Sequence, residues 1–177
     1  MTTTEESWAN KLARDVALAE QILTTRGGLN PMFIVDAGGR TFIAECKFTN
    51  PAEKQAVLKF VQLWAVSVDA DAVTSLAAAW LMTDPARQKV VIATAVYRDG
   101  DQRRVQQKVH LIEHNERGHV TGLGLNIAEA TDEPALGGDF INLLPGKRPG
   151  AEQRAHAQAA FDDLPSRMRR AVKPTNH

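Results

Sequence analysis

Two short, largely apolar segments in the first third of the chain predict a β-hairpin. Residues 32–35 and 41–48 are rich in β-branched and aromatic side chains, and Gly38 and Gly39 lie between them. Two central glycines fit a type I′ turn, whose twist matches the strands it joins. The second strand directs four apolar residues to its predicted core face: Phe42, Ala44, Cys46 and Phe48.

The next segment has the pattern of an amphipathic helix with a marked start. Asn50 can cap it, Pro51 suits the first helical position, and Glu53 stands where a capping box places its acceptor. Its apolar stripe comprises Val57, Phe60, Val61, Trp64 and Val68. We expect this anchor helix to lie across the hairpin.

The N-terminal segment also predicts a helix. Thr3 and Glu6 have capping-box spacing, and Gly27 can end the helix as its C-cap. The predicted stripe is Trp8, Leu12, Val16, Ala19 and Leu23.

After the anchor helix, residues 71–82 carry mixed signals. Val73, Thr74 and Trp80 favour a strand, whereas the alanines at 77–79 favour a helix. We predict a strand, and the helix remains an open alternative.

Residues 89–97, 103–113 and 119–125 then predict an antiparallel meander, with turns at Asp99-Gly100 and at 115–118. One meander face is largely polar and is expected to meet water or a partner. It carries Gln106, Lys108, His110, Ile112 and His114.

The last fifty residues alternate loops and short ordered segments. Residues 126–139 read as an acidic loop, residues 140–144 as an apolar segment that docks on the body, and residues 151–161 as a helix. Residues 165–177 read as a basic, frayed tail. We therefore predict one α+β domain over residues 1–145, followed by a C-terminal helix and basic tail over residues 146–177.

These elements together predict the fold class. We expect α+β architecture with an antiparallel sheet of about five strands, made of the hairpin and the meander. The anchor helix should cross one face of the sheet, with the N-terminal helix beside it.

Composition narrows the classes of function. The 177 residues contain 21 basic and 21 acidic side chains, which argues against a dedicated nucleic-acid or membrane-surface coat. The single cysteine, Cys46, allows no intrachain disulfide and is expected to be a small buried side chain rather than a nucleophile. With no signal peptide and no membrane-spanning run, we expect a cytoplasmic protein.

Asp36, Glu45 and Lys47 form the sharpest candidate catalytic set. An Asp followed by Glu-x-Lys on neighbouring strands is the signature of restriction-endonuclease-like nucleases, in which the carboxylates hold Mg²⁺ and the lysine assists the attacking water. Glu20 and Gln62 fit accessory positions of such enzymes.

The predicted hairpin argues against this set. A Gly-Gly turn pairs Asp36 with Thr41 and Glu45 with Met32, so the carboxylates lie four residues apart along the ladder, about 13 Å. One ion with oxygen ligands at about 2 to 2.6 Å cannot bridge that distance. A three-residue loop would put the two acids on opposite faces, and a longer loop would dissolve the second strand.

Other candidate sites are weaker. His110, His114 and His119 are too far apart on strands to share a zinc ion. Neither Gly122-Leu123-Gly124 nor Gly146-Lys147 completes a nucleotide-binding fingerprint. The basic tail could contact nucleic acid, although a solvated terminus is the simpler reading. Its basic residues are Arg167, Arg169, Arg170 and Lys173.

Several short motifs resemble an uncharacterised family of small bacterial and phage α+β proteins. They are Gly27-Gly28, Pro31-Met32-Phe33, Glu53-Lys54, Ala79-Trp80-Leu81-Met82, and Phe140 with Leu143-Leu144-Pro145. The resemblance implies a fold and no activity. An acidic residue often precedes the Ala-Trp pair in that family, whereas this chain has Ala78 there.

The sequence thus favours a non-catalytic binding or adaptor module over an enzyme. We expect it to act through a sheet face or a homodimer interface, with a second copy or an unidentified protein as partner and no cofactor. Nucleic acid and membranes are not expected partners. The alternative is the Mg²⁺-dependent nuclease built on Asp36, Glu45 and Lys47.

Overall fold

The computed structural model describes residues 3–83, 86–131, 138–169 and 172–174. Within these ranges the helices are α1 (Thr3–Arg26), α2 (Pro51–Ser67), a short 3-10 helix (Gly138–Asn142), α3 (Ala151–Asp162) and α4 (Ser166–Arg169). The strands are β1 (Met32–Ala37), β2 (Arg40–Glu45), β3 (Ala72–Thr83), β4 (Ala86–Asp99), β5 (Gln102–His114), β6 (Val120–Thr131) and β7 (Val172–Pro174).

All seven strands join one antiparallel sheet in the order β6-β5-β4-β3-β1-β2-β7. The α+β class and the antiparallel sheet are confirmed, and the expected five strands become six long ones plus the three-residue β7. The hairpin turn lies at Gly38 and Gly39, whose positive φ angles of 55° and 77° match the predicted turn. Residues 72–83 form a strand, which settles the open alternative in favour of β structure.

The sheet is covered by helices on both faces because its central strands are apolar on both faces. Phe33 and Val35 of β1 pack with α2, whereas Met32 and Ile34 pack with α1. Since successive strand residues point to opposite faces, α1 and α2 lie on opposite sides of the sheet. The expectation that α1 lies beside the anchor helix was therefore wrong.

Helix α2 begins as predicted. The Asn50 side-chain oxygen accepts a hydrogen bond from the backbone N–H of Glu53 at 2.9 Å. The Glu53 carboxylate reaches one residue further back than a standard capping box and accepts from the Thr49 N–H at 2.7 Å. The predicted stripe is buried against the hairpin, except that Val68 is only partly buried.

Helix α1 also follows its predicted stripe. Leu12, Ala19 and Leu23 are almost completely buried, and the Trp8 ring stacks on Tyr97 with centroids 5.4 Å apart. Gly27, with φ of 73°, ends the helix by donating its N–H to the Leu23 carbonyl. The predicted Thr3–Glu6 capping pair lies outside the described side chains.

Three predictions for the second half needed correction. Strand β6 continues to Thr131, so residues 126–131 are not loop. The expected polar face of β5 is partly buried: Ile112 packs in the cluster formed by α1, and Gln106 and Ile112 are each 7 % exposed. The tail is ordered where it is described: residues 166–169 form α4, and β7 pairs with β2.

The apolar segment after β6 docks on the α2 face as predicted. Leu143 and Leu144 are buried, and the Phe140 ring lies 6.0 Å from that of Phe33. Helix α3 packs on α2 through the stacked rings of Phe60 and Phe161. The domain boundary at residue 145 stays a prediction, since packing alone does not test it.

We predict that Asn50→Ala lowers the free energy of unfolding by about 1 kcal/mol, because the N–H of Glu53 loses its side-chain acceptor. Urea denaturation measures the change. Lys59→Ala, an exposed substitution within the same helix, serves as the control and should alter stability by less than about 0.5 kcal/mol. Equal effects in the two variants would contradict the capping role.

Candidate functional site

The structure separates the three residues that the sequence grouped as a catalytic set. The pairing register is the predicted one, with Asp36 opposite Thr41 and Glu45 opposite Met32, so the two carboxylates lie four ladder positions apart, about 13 Å. Asp36 borders one cavity, whereas Glu45 and Lys47 border another. A single metal ion cannot join carboxylates placed in this way.

Asp36 belongs instead to a polar network between the hairpin and α1. Its Oδ2 lies 2.6 Å from the Lys11 ammonium, and its Oδ1 accepts a hydrogen bond from the Thr41 hydroxyl at 2.6 Å. Oδ2 has no hydrogen-bond partner among the described residues, so its contact with Lys11 is an ion pair. Lys11 also reaches Asp15, one helical turn along α1, at 3.5 Å. One lysine therefore serves two acids.

Asp15 is the buried member of this network and is 3 % exposed. Burial raises the pKa of Asp15, opposed by the charge of Lys11 and by a hydrogen bond from Thr74. A charged group with a perturbed pKa beside a cleft is a candidate functional residue on physical grounds.

A cleft of about 740 Å³ opens beside this network, between the first half of α1 and the hairpin turn. We refer to it below as the α1 cleft. Its walls come from α1, from the β1–β2 turn, and from the chain at the ends of the central strands. The lining residues are Ser7, Trp8, Asn10, Lys11, Arg14, Asp36, Gly39, Arg40, Thr41, Asp71 and Arg98.

The second cavity, of about 480 Å³, lies at the other end of the hairpin. Glu45 is held there by Asn30 at 2.6 Å and Arg26 at 3.2 Å, and the Asn30 hydrogen bond is the main cause that lowers the pKa of Glu45. Cys46 is buried at 8 % exposure, as predicted. Burial raises the pKa of its thiol to about 11, which does not suit a nucleophile at neutral pH.

The three histidines of the meander lie in different surroundings. His110 is half-buried and its Nδ1 lies 3.1 Å from the Gly124 carbonyl oxygen, whereas His114 and His119 are exposed. Among the described residues, no three His, Cys, Asp or Glu side chains are placed to hold a metal ion.

Of the tail residues, Arg167 borders the second cavity, while Arg170 and the Lys173 side chain lie outside the described part of the chain.

An exposed apolar surface lies at the opposite edge of the sheet. Strand β6 is the edge strand, and its Leu125 and Ile127 side chains are 80 % and 40 % exposed. Residues 120–131 contain one charged residue, Glu129, and neither lysine nor proline. Natural edge strands are usually protected by such charges or by proline, so this edge is poorly defended against pairing with another strand.

A second exposed surface lies on the part of the β3–β4 hairpin that extends past β1. Pairing with β1 ends at Leu76, so residues 77–83 pair only with β4. We call this extension, residues 77–83 and 86–92, the arm. It carries Trp80 at 60 % and Met82 at 69 % exposure.

The hairpin pattern correctly predicts that Asp36 and Glu45 lie four ladder positions apart, but it cannot identify the side chains that contact Asp36. Lys11, the partner of Asp36, lies 25 residues upstream on a helix, and only the tertiary fold brings the two together. The β6 edge did leave a signal, because residues 119–131 hold a single acidic charge. Because the sequence pattern predicts a strand over residues 119–125 and a loop after it, the low charge of the whole run does not stand out as a property of one edge strand.

Comparison with models of protein families, with curated proteins and with solved structures finds no match to this chain. The resemblance to small bacterial and phage proteins therefore rests on its short motifs alone. Of the helices in the described ranges, none combines the length and apolar character needed to cross a bilayer.

We predict that Cys46 reacts slowly with thiol reagents in the folded protein. A pKa of about 11 in place of the ordinary 9.0 leaves about a hundredfold less thiolate near pH 8, and burial limits access further. The alkylation rate with iodoacetamide, compared between native and urea-denatured protein, measures this. Native protein that reacts as fast as denatured protein would contradict the assignment.

We also predict a pH-dependent effect of Asp15→Asn. Because the folded-state pKa of Asp15 is raised, its ionisation destabilises the fold, and stability is lost as the pH rises from the ordinary value of 3.8 through the folded pKa. Asparagine mimics the protonated acid, so the variant's stability relative to wild type should increase from acid to neutral pH. Chemical denaturation at several pH values tests this, and the opposite trend would refute it.

Proposed function

We propose that this protein is a non-catalytic binding module that assembles as a homodimer through the edge strand β6. The observation that carries the proposal is this long edge with few protecting charges and exposed apolar side chains. Unpaired N–H and C=O groups along such a strand are a template for another strand. A second copy supplies a matching one.

The geometry of β6 suits pairing of two identical strands. An antiparallel pair of identical strands has a twofold axis, so where residue i faces residue j of the partner, residue j faces residue i, and the assembly closes as a dimer. The regular part of the strand, residues 128–131, continues the β5 ladder without a break, whereas three irregularities lie between residues 120 and 128. We expect pairing to start in the regular part.

Charge does not oppose self-association. The chain has 21 basic and 21 acidic residues, so two copies carry no net repulsion at neutral pH. Leu125 and Ile127 would leave water on pairing, and each side chain would contribute about 1.5 to 3 kcal/mol if it became fully buried.

The arm would remain available, with Trp80 and Met82, for an unidentified protein partner. We place the module in the cytoplasm, in keeping with its single unpaired cysteine.

The observed geometry gives the alternative nuclease reading no support, because Asp36 and Glu45 are separated and each is held by other side chains. The binding module is therefore the function that we propose.

We predict that light scattering over a wide concentration range gives twice the 19.4 kDa monomer mass for the wild type. The double variant Leu125→Lys, Ile127→Lys should be monomeric, because lysines on an edge strand oppose pairing. Circular dichroism would verify that it remains folded.

Met82→Lys is the matched control, since Met82 is apolar and 69 % exposed, between Leu125 and Ile127, but lies on the arm. It should remain dimeric. A wild type that is monomeric at every concentration would refute the proposal. So would a folded β6 double variant that still dimerises, or a Met82→Lys variant that is monomeric.

A further inference from the structure

Basic side chains outnumber acidic ones in the α1 cleft, and contacts within the protein leave part of their positive charge uncompensated. Four basic side chains border it, Lys11, Arg14, Arg40 and Arg98, against two carboxylates, those of Asp36 and Asp71.

Both carboxylates already have basic partners. Asp36 is paired with Lys11 at 2.6 Å. Asp71 accepts from the Arg148 guanidinium at 2.7 Å and from the Gly38 N–H at 3.1 Å. Asp71, together with Asp69, also acts on Arg98 and favours its charged form, but without an ion pair between them, so the acids of the cleft offset the three guanidinium groups only in part.

Among the described residues, none of the three arginines forms an ion pair with a carboxylate, although Arg14 lies near enough to Asp15 to act on its charge. Arg14 is exposed and forms no ion pair or hydrogen bond within the described residues. Arg40 lies at the turn with its guanidinium 5.7 Å from the centre of the Phe42 ring, a cation–π contact that leaves its N–H donors unused. Both side chains can therefore donate to a ligand without breaking an existing bond.

Arg98 strengthens the positive potential from the wall of the cleft. It is 7 % exposed, and its Nη2 donates to the Pro145 and Lys147 carbonyl oxygens at 3.3 Å. Its Nε and Nη1 are buried without an acceptor. A buried guanidinium with no carboxylate contact projects a field that is weakly screened by solvent.

The remaining wall suits the organic part of a small molecule. Trp8 is half-buried and adds an aromatic side chain, and Ser7 and Asn10 supply neutral polar groups. The volume of about 740 Å³ lies within the usual range for small-molecule sites.

We propose that the α1 cleft binds a small phosphorylated molecule, with its phosphate on Arg14 and Arg40 and its organic part towards Trp8. Guanidinium groups pair with phosphate oxygens through charge-assisted hydrogen bonds, and a cleft with more than one uncompensated positive charge suits a phosphate group, which carries up to two negative charges. The site lies on α1 and the β1–β2 turn, so it does not depend on the proposed β6 dimer.

Calorimetric titration with adenosine monophosphate and with inorganic pyrophosphate tests the proposal. We expect saturable one-to-one binding of both probes to the wild type. Arg14→Gln and Arg40→Gln should each weaken it by at least about tenfold, because each removes a charged hydrogen-bond donor. Both side chains are exposed, so the variants should keep the wild-type thermal midpoint.

Arg117→Gln is the control, since it removes an exposed arginine from the β5–β6 turn, outside the cleft. It should bind as the wild type does. No binding of either probe, or equal weakening in all three variants, would overturn the proposal. Binding of a single-stranded oligonucleotide through Arg14 and Arg40, without binding of either probe, would overturn it in favour of nucleic acid.

The monomeric β6 double variant separates this site from the dimer. Leu125→Lys, Ile127→Lys should bind adenosine monophosphate with unchanged affinity, because neither residue borders the cleft. Loss of binding in that folded variant would refute an independent site. A monomeric wild type that still binds the nucleotide would refute the dimer alone.

Discussion

The burial of β1 on both faces is the constraint on which this fold depends. Phe33 and Val35 pack under α2, and Met32 and Ile34 pack under α1, so one four-residue run fixes the sides of both helices. A strand buried in this way needs a neighbour on each edge, because its backbone groups have no access to water. β2 and β3 supply those neighbours.

The uncovered surfaces follow from the way in which the two helices divide the sheet. Helix α1 packs on β3, β4 and β6, and so leaves the turn end of the β1–β2 hairpin as the wall of an open cleft. Strand β7 closes the β2 edge, whereas β6 has no outer neighbour among the described strands. The cleft and the free edge thus lie on different elements, and a substitution in one need not disturb the other.

Local chemistry made much of the fold predictable from the sequence. Gly38 and Gly39 fixed the hairpin register, and Asn50 and Pro51 marked the start of α2. The side of the sheet on which α1 lies was missed, although Met32-Phe33-Ile34-Val35 is a continuous apolar run of the kind that marks a strand covered on both faces. It was read only for its strand propensity.

The site was harder to predict because its contacts cross long stretches of sequence. The sequence offered Asp36 as a candidate magnesium ligand. In the structure its carboxylate contacts Lys11 and Thr41 instead. The Lys11 ammonium takes the position next to Asp36 that a cation would need, and it also faces the buried Asp15. The spacing of residues within one strand cannot reveal this lysine, because only the docking of α1 on the sheet brings it next to the two acids.

That docking also determines what the cleft can attract. Lys11 is paired with Asp36, and Arg148 is paired with Asp71. The positive charge that remains in the cleft therefore belongs to Arg14, Arg40 and Arg98. A protein with no net charge can in this way present a locally positive cleft, because the compensating acids lie elsewhere on its surface. Net charge therefore argues against a broad anionic partner and leaves a small anion, held at one place, fully compatible with this chain.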